Sequence, residues 1–422
     1  MKKFFSAILC ICMVFSLCAC AGIEPAGTEN TPLPASDETT EEAPAAESTA
    51  APVDAHGAQL GDRVIIRTVK TLENFNAPDN TVILLFSYVT PTVRIEEKPE
   101  VAAAINEQLC LLDEAYITGS GNEPGKNEIL EDALDNFAYV TEKDADLGTS
   151  FSAARTVVST RADGSAISFR YSKNIYTGGT PRYGYMAVNF DSETGEMLTL
   201  DALSADPDAF RQLLADGVVA AARENSVLYR QLSQDDPNID SSLAAVVREQ
   251  NWYFAADGIA FIPDYGELKP AEQDLLVPYE TVAGVIDERF LPVKREGEGS
   301  FDVVRVEDVT DGTVHSIDRL LVSDGEELYL TVEGTAYDVT ISSFFYDHFA
   351  AGDDRFHAKD RLWYASYMTD CALQICTIVP NGMPDLMITY TDAEHVSHRL
   401  FISQSGVGDG VALVDDTIEA VG

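Results

Sequence analysis

Between Ala21 and about Leu60 this 422-residue chain cannot build a core. The stretch carries five prolines (Pro25, Pro32, Pro34, Pro44 and Pro52), eight carboxylates and no Lys or Arg, with Ala, Ser and Thr filling most other positions. It has too little apolar surface to offset the entropy of ordering it. A fold must therefore be built from about Gly61 onward, and the segment before it reads as a tether. As a flexible coil, a tether of this length spans roughly 35 Å on average, and more where its charges repel.

The residues ahead of the tether say what it is tied to. Lys2 and Lys3 are followed by an uncharged, mostly apolar run from Phe4 to Leu17 and then by Leu17-Cys18-Ala19-Cys20. This is the three-part pattern of an export signal, and its apolar run is shorter than the roughly 20 residues a membrane span needs. A cysteine directly after a small residue resembles the bacterial lipobox, in which the thiol is acylated before the signal is cut. The expectation is a signal peptide over residues 1–19, a lipidated Cys20, and an acidic linker over 20–60. The working part would then lie on the extracytoplasmic face of a cell membrane, in a Gram-positive-type bacterium. Two or more acyl chains hold such an anchor in place, since each buried CH₂ contributes roughly 0.8 kcal/mol.

Charge narrows the partners. The chain has 70 Asp and Glu against 28 Lys and Arg, a net charge of −42. Nucleic acid is excluded, because no basic footprint exists to neutralise phosphates. Anionic wall polymers and headgroups would be repelled by the bulk of the surface, and cationic proteins attracted; the same charge also serves solubility. Of the seven cysteines, Cys10, Cys12 and Cys18 belong to the signal. Cys110 sits in an apolar helical run and reads as a buried thiol. Cys371 and Cys376 are close enough in sequence to form a disulfide, but only if a bend brings their Cα atoms within about 7 Å.

From Gly61 the pattern is α+β. Val64–Val69 and Thr81–Val93 read as strands. Pro99 opens a helix whose Val101, Ile105, Leu109, Leu112 and Tyr116 form one apolar stripe. A second helix carries Ile129, Ala133 and Phe137. Ser150–Thr160 and Ser165–Tyr171 form a hairpin about Ala162-Asp163-Gly164, and Tyr183–Asp191 is a further strand. Asp206-Pro207 is an N-cap with proline at the first helical position. Asn251–Ile262 reads as a hairpin around Asp257-Gly258, and Val277-Pro278-Tyr279 as the opening of a last helix through Ile286. The pattern predicts antiparallel sheets with helices packed on one face.

Three stretches in this region carry a family resemblance. They are Tyr176-Thr177-Gly178-Gly179 followed by Val188–Gly195 and Leu198–Leu203, then Tyr253–Phe261, then Val277-Pro278-Tyr279. Their order and spacing resemble the extracytoplasmic module of RsiV-type anti-sigma factors, which sense lysozyme, and of PdaC-type peptidoglycan deacetylases. The resemblance covers about Gly61 to Leu291 and implies two halves, 61–175 and 176–291. It departs at Thr180-Pro181-Arg182, where the family has a small residue and histidine, and at Lys269-Pro270-Ala271, where it has proline-tyrosine-alanine. The sequence holds no Asp/His metal motif of a deacetylase. The resemblance therefore implies a non-catalytic binding or sensing module, with a lysozyme-like cationic protein or a peptidoglycan fragment as partner. Gly178, Gly179, Arg182, Tyr183 and Pro270 are its candidate ligand-loop residues. A peptidoglycan-modifying enzyme, or an accessory subunit of a surface complex, is the alternative. Independently of the family, Gly178-Gly179 reads first as a tight turn, and Asp191–Gly195 as a turn rather than a metal loop.

Residues 292–422 read as a β-rich domain. Arg319–Val322, Leu328–Val332 and Tyr337–Ile341 are expected to form a meander, Phe344–Phe349 a short helix, and Leu362–Tyr367, Ala372–Val379, Asp385–Thr391 and His398–Ser403 further strands. His348, His357, His395 and His398 lie near several carboxylates but show neither zinc-type nor EF-hand spacing. No nucleophile elbow, HExxH or P-loop occurs. The sequence thus names no catalytic residue, metal or cofactor.

Overall fold

The computed structural model describes residues 61–121, 123–143, 145, 147–264, 274–309, 314–346, 356–379, 386–404 and 411–415. Cys20, Pro270 and His348 lie outside them.

The chain opens with a long antiparallel pair, β1 (Val64–Asn76) and β2 (Val82–Ile95), followed by α1 (Pro99–Thr118). A two-residue ribbon, β3 (Gly119–Ser120) with β4 (Glu123–Pro124), leads into α2 (Lys126–Glu142). Strands β5 (Phe151–Ala162), β6 (Ala166–Tyr176) and β7 (Arg182–Asp191) follow as antiparallel neighbours. The next stretch is mainly helical, with α3 (Pro207–Glu224), α4 (Ser226–Asp235) and α5 (Ile239–Ala244). It closes with β8 (Trp252–Phe254), β9 (Gly258–Phe261), β10 (Leu275–Pro278) and one turn of helix, α6 (Tyr279–Val282). The remaining strands are β11 (Ser300–Arg305), β12 (Ser316–Leu321), β13 (Glu326–Glu333), β14 (Thr335–Tyr346) and β15 (Phe356–Thr369). Last come β16 (Ala372–Thr377), β17 (Leu386–Thr391), β18 (Ser397–Gln404) and β19 (Val411–Asp415).

Ten of these strands share one sheet, in the order β19-β18-β17-β14-β15-β1-β2-β5-β6-β7. Strands from both sides of residue 292 therefore meet at the β1–β15 pair, where Ile65 faces Ala365 and Ile66 faces Tyr364. The alternation of a strand explains why Val64-Ile65-Ile66 is apolar throughout. Val64 and Ile66 point into a core shared with Val101, Ile105 and Leu109 of α1. Ile65 points the other way, into a core shared with Leu328, Leu330 and Ile375. That second core belongs to a four-stranded sheet, β11-β13-β16-β12, which lies against the opposite face. A third core, around Phe210, Leu214, Trp252, Phe254 and Phe290, fills the helical stretch. Its α3 begins as the sequence predicts: the Asp206 carboxylate accepts from the Ala209 N–H at 3.1 Å, with proline next.

The α+β class and most strands agree with the sequence reading, and four details differ. The expected meander does not form, because β12 pairs parallel with β16 instead of with β13, and β14 leaves for the large sheet. Phe344–Tyr346 continue β14 rather than starting a helix, since their backbone is paired with Phe356–Ala358. The last helix of the helical stretch is a single turn, with Leu275–Pro278 drawn into a three-stranded sheet beside β9. Cys110 is exposed, not buried, because α1 turns Val101, Ala102, Ile105 and Leu109 inward and position 110 outward.

Cys371 and Cys376 are both free thiols. Cys371 directly precedes β16, which runs without a bulge against β13. Five residues of extended chain separate them by roughly 16 Å, so the bend that a bridge requires is absent.

Candidate functional site

The sequence-derived loop residues lie at one end of β6. Gly178 has φ +86° in the β6–β7 turn, and a Cβ there would meet the Phe151 ring at 3.3 Å. Gly178 is thus required by a tight turn with a close neighbour. Gly179 has open space around it. Arg182 and Tyr183 open strand β7 and are exposed. Asp191–Gly195 is likewise a turn, with the Asp191 carboxylate accepting from the N–H groups of Glu193 and Thr194 at 2.8 and 3.2 Å.

The strongest concave site is elsewhere. A cavity of about 460 Å³ opens at the opposite end of β6, roughly 33 Å along that strand from Tyr176. One wall is the β5–β6 hairpin, another the extended segment Pro292–Arg295, and the rest comes from β14, β15 and β17 together with Gly61, Ala256, His395 and Ser397. Its lining includes four basic side chains, Arg161, Lys294, Arg295 and Arg361, against two carboxylates, Asp163 and Asp338. With Glu296, which pairs with Lys294 at 3.1 Å, counted in, the local formal charge is about +1 in a chain of net charge −42. At physiological salt the more distant acids are screened beyond about 8 Å, so the local charge governs the cavity.

Backbone irregularities place these side chains. The β5–β6 register slips between Ser159 and Arg161, leaving Thr160 unpaired. The β14–β17 register slips between Tyr337 and Thr340, with Asp338 at φ 49°. The β14–β15 register slips beside Arg361, leaving Leu362 extra. A bulge bends its strand and re-aims a side chain, and bulges gather at functional sites for that reason. Left-handed backbone at a non-glycine residue is uncommon, with aspartate among the residues that tolerate it.

The polar contacts are specific. Arg161 is buried; its Nε donates to Asp163 at 2.6 Å and its Nη1 to the Tyr279 hydroxyl and the Phe290 carbonyl at 2.9 and 2.6 Å. Its Nη2 is buried without an acceptor. Asp338 accepts from Arg295 at 2.6 Å, from the Tyr364 hydroxyl at 2.8 Å and from Thr391 at 3.0 Å. Arg361 differs from the other arginines. Its Nη1 donates to the carbonyl and hydroxyl of Ser159, both at 2.8 Å, and it has no ion pair among the described residues. Burial lowers its pKa, with Asp338 and Tyr364 opposing the shift.

The tyrosines beside the cleft give it a pH signature. Burial first, and then Asp338, raise the Tyr364 hydroxyl well above its ordinary pKa. Burial pushes Tyr367 up to about 12, and does the same to Tyr116, which lies away from the cleft against Phe86. A folded-state pKa above the unfolded value of about 10 favours the neutral form, so this stability is complete below pH 10 and is lost as pH rises through the folded value. We expect the melting temperature to fall steeply between pH 10 and 12, with tyrosinate absorbance at 295 nm appearing together with unfolding. A melting temperature that stays constant to pH 12 would contradict the assignment.

None of the cleft's basic residues was legible as a site residue. They converge from positions as far apart as 161 and 361, and each reads singly as an ordinary strand or loop charge. The only signals are that Asp338 interrupts the apolar run Tyr337–Ile341, and that basic residues are scarce throughout. His395 sits in the β17–β18 turn at φ 62°, and His398 pairs with Asp392 at 2.8 Å. Among the described residues no three His, Cys, Asp or Glu side chains gather as metal ligands, and no helix is long and apolar enough to cross a membrane.

No family model and no curated protein matches the chain. Among solved structures it is similar to a DUF3298 family protein from Pseudomonas aeruginosa PAO1, at 14% identity and a TM-score of 0.36, over 54% of this chain and 97% of that one. It is also similar to a member of the DUF3298 family from Bacteroides fragilis NCTC 9343, at 17% identity and a TM-score of 0.36, over 53% of this chain and 93% of that one.

Proposed function

We propose that this protein is a non-catalytic binding or sensing module, held on the extracytoplasmic face of a bacterial membrane by a lipid on Cys20, and that the cleft is its ligand site. The observation that carries the reading is the concentration of four basic side chains around one cavity in a strongly acidic chain. The cleft carboxylates support binding rather than turnover: Asp163 and Asp338 serve as acceptors for arginine, tyrosine and threonine donors. The lipobox and the acidic tether support the location. A cell-wall fragment is the ligand that suits the cleft. The acidic exterior supports a second partner, a cationic protein such as a lysozyme, drawn in by long-range attraction.

The test is titration of the purified full-length protein with a soluble muropeptide, a cationic lysozyme and an unrelated protein of equal basic charge, across a salt series. Muropeptide binding that survives physiological salt supports the cleft reading, and lysozyme binding that outlasts the basic control supports the protein partner. Equal, salt-erased binding of both basic proteins, with no muropeptide binding, sinks the proposal. Muropeptide turnover would replace it with the enzymatic alternative.

A further inference from the structure

We propose that the cleft binds a small organic oxyanion, a carboxylate or phosphate, with Arg361 as its principal partner. The inference rests on the reading of the cleft as a ligand site and specifies what enters it.

Arg361 carries the argument. A half-buried guanidinium is costly to keep without a counter-charge. The other basic side chains of the cleft have theirs: Arg161 pairs with Asp163, Arg295 with Asp338 and Lys294 with Glu296. Arg361 donates only to the neutral oxygens of Ser159, through Nη1; it also lies 5.9 Å from the Tyr364 ring centre, and Asp338 favours its charge from a distance without pairing with it. Its Nε and Nη2 make no hydrogen bond among the described residues. Those two donors form the planar fork that takes a carboxylate or phosphate two-pronged. Arg161 adds a second observation: it is 8% exposed, and its Nη2 has no acceptor. A positive charge thus remains on the cleft wall after every internal pair is made.

The cavity size defines the rest of the ligand. About 460 Å³ falls within the range of small-molecule sites. The rings of Tyr337, Tyr364, Tyr367 and Tyr390 contribute to the lining. Tyr337, Tyr364 and Tyr367 are buried and their hydroxyls donate to Glu296, Asp338 and Gly61, so they shape the wall, and the ligand is defined by its charge and by the size of the cavity. The register slips at Thr160 and Leu362 bring Arg161 and Arg361 to the same cavity from strands that are not neighbours in the sheet.

Calorimetric titration of the full-length protein with N-acetylmuramate, glucosamine 6-phosphate and neutral N-acetylglucosamine tests this. One or both charged sugars are expected to bind and the neutral one not, and the stronger of the two assigns the head group. Arg361→Gln is expected to weaken binding at least about tenfold, as loss of a charged hydrogen-bond pair does. Arg361→Lys, which keeps the charge but not the fork, is expected to bind more weakly than the native chain. Arg319→Gln, outside the cleft and paired with Glu327, is expected to leave binding unchanged. Neutral and charged sugars binding equally, binding indifferent to Arg361→Gln, or no binding of any of the three overturns the proposal. If muropeptide or lysozyme still binds in that case, the binding-module reading stands without it; if they also fail, both fall.

Discussion

Asp113→Ala is expected to destabilise the fold by about 3–5 kcal/mol, the usual cost of leaving a buried charge without its partner. Asp113 projects from α1 and is 7% exposed; Arg155 projects from β5 and is 4% exposed. The two form an ion pair, and Thr90 adds a hydrogen bond to the same carboxylate at 2.5 Å. The guanidinium also donates to the Leu112 carbonyl at 2.9 Å and lies 4.7 and 5.1 Å from the ring centres of Tyr116 and Tyr171. With the carboxylate gone, Arg155 is held among aromatic rings with no counter-charge. Denaturant unfolding reads the loss as a lower midpoint at an unchanged slope. The double variant Asp113→Leu/Arg155→Leu is expected to lose much less, since an apolar pair of similar volume removes the desolvation cost. A loss below about 1 kcal/mol for Asp113→Ala would show that the site is hydrated and the pair dispensable.

Arg161→Ala is expected to cost about 3 kcal/mol or more and to loosen the cleft. Arg161 joins the β5–β6 hairpin to residues 279 and 290, and its guanidinium lies 5.0 Å from the Phe254 ring centre. Truncation leaves the Phe290 carbonyl without this donor and opens a void beside Phe254. Arg161→Lys is expected to recover less than half the loss, because one ammonium cannot reach three acceptors that a guanidinium fork meets together. Cleavage by a protease specific for basic residues, at Lys294 or Arg295, separates a local role from a general one. It should rise in Arg161→Ala well before global unfolding. Unchanged cleavage at those residues, with stability intact, would remove Arg161 from the architecture of the cleft.

The elements that rest on local rules were readable from the chain. The stripe Val101–Ile105–Leu109 becomes the buried face of α1. Asp206-Pro207 caps α3. Asp163 closes the β5–β6 hairpin through the N–H groups of Ser165 and Ala166 at 2.9 and 3.0 Å. The errors arise where a distant partner overrides a local pattern. A short helix is expected from Phe344, yet the aromatic run Phe344–Tyr346 is strand-forming and its backbone is claimed by β15. β12 is adjacent in sequence to β13, yet it is claimed by β16.

What the sequence by itself determined is the α+β class and the positions of most helices and strands. Each depends on periodicity, capping or composition, which act over a few residues or over the whole chain at once. What only the tertiary structure decided is the cleft. Its arginines share a wall because β15 pairs with β1 across roughly 300 residues of chain, and because bulges at Thr160 and Leu362 turn side chains that a regular strand would point elsewhere. Pairing register and bulge position are set by which strands compete successfully for one another in the folded sheet. That outcome belongs to the assembled core and leaves no mark on the residues nearby in sequence.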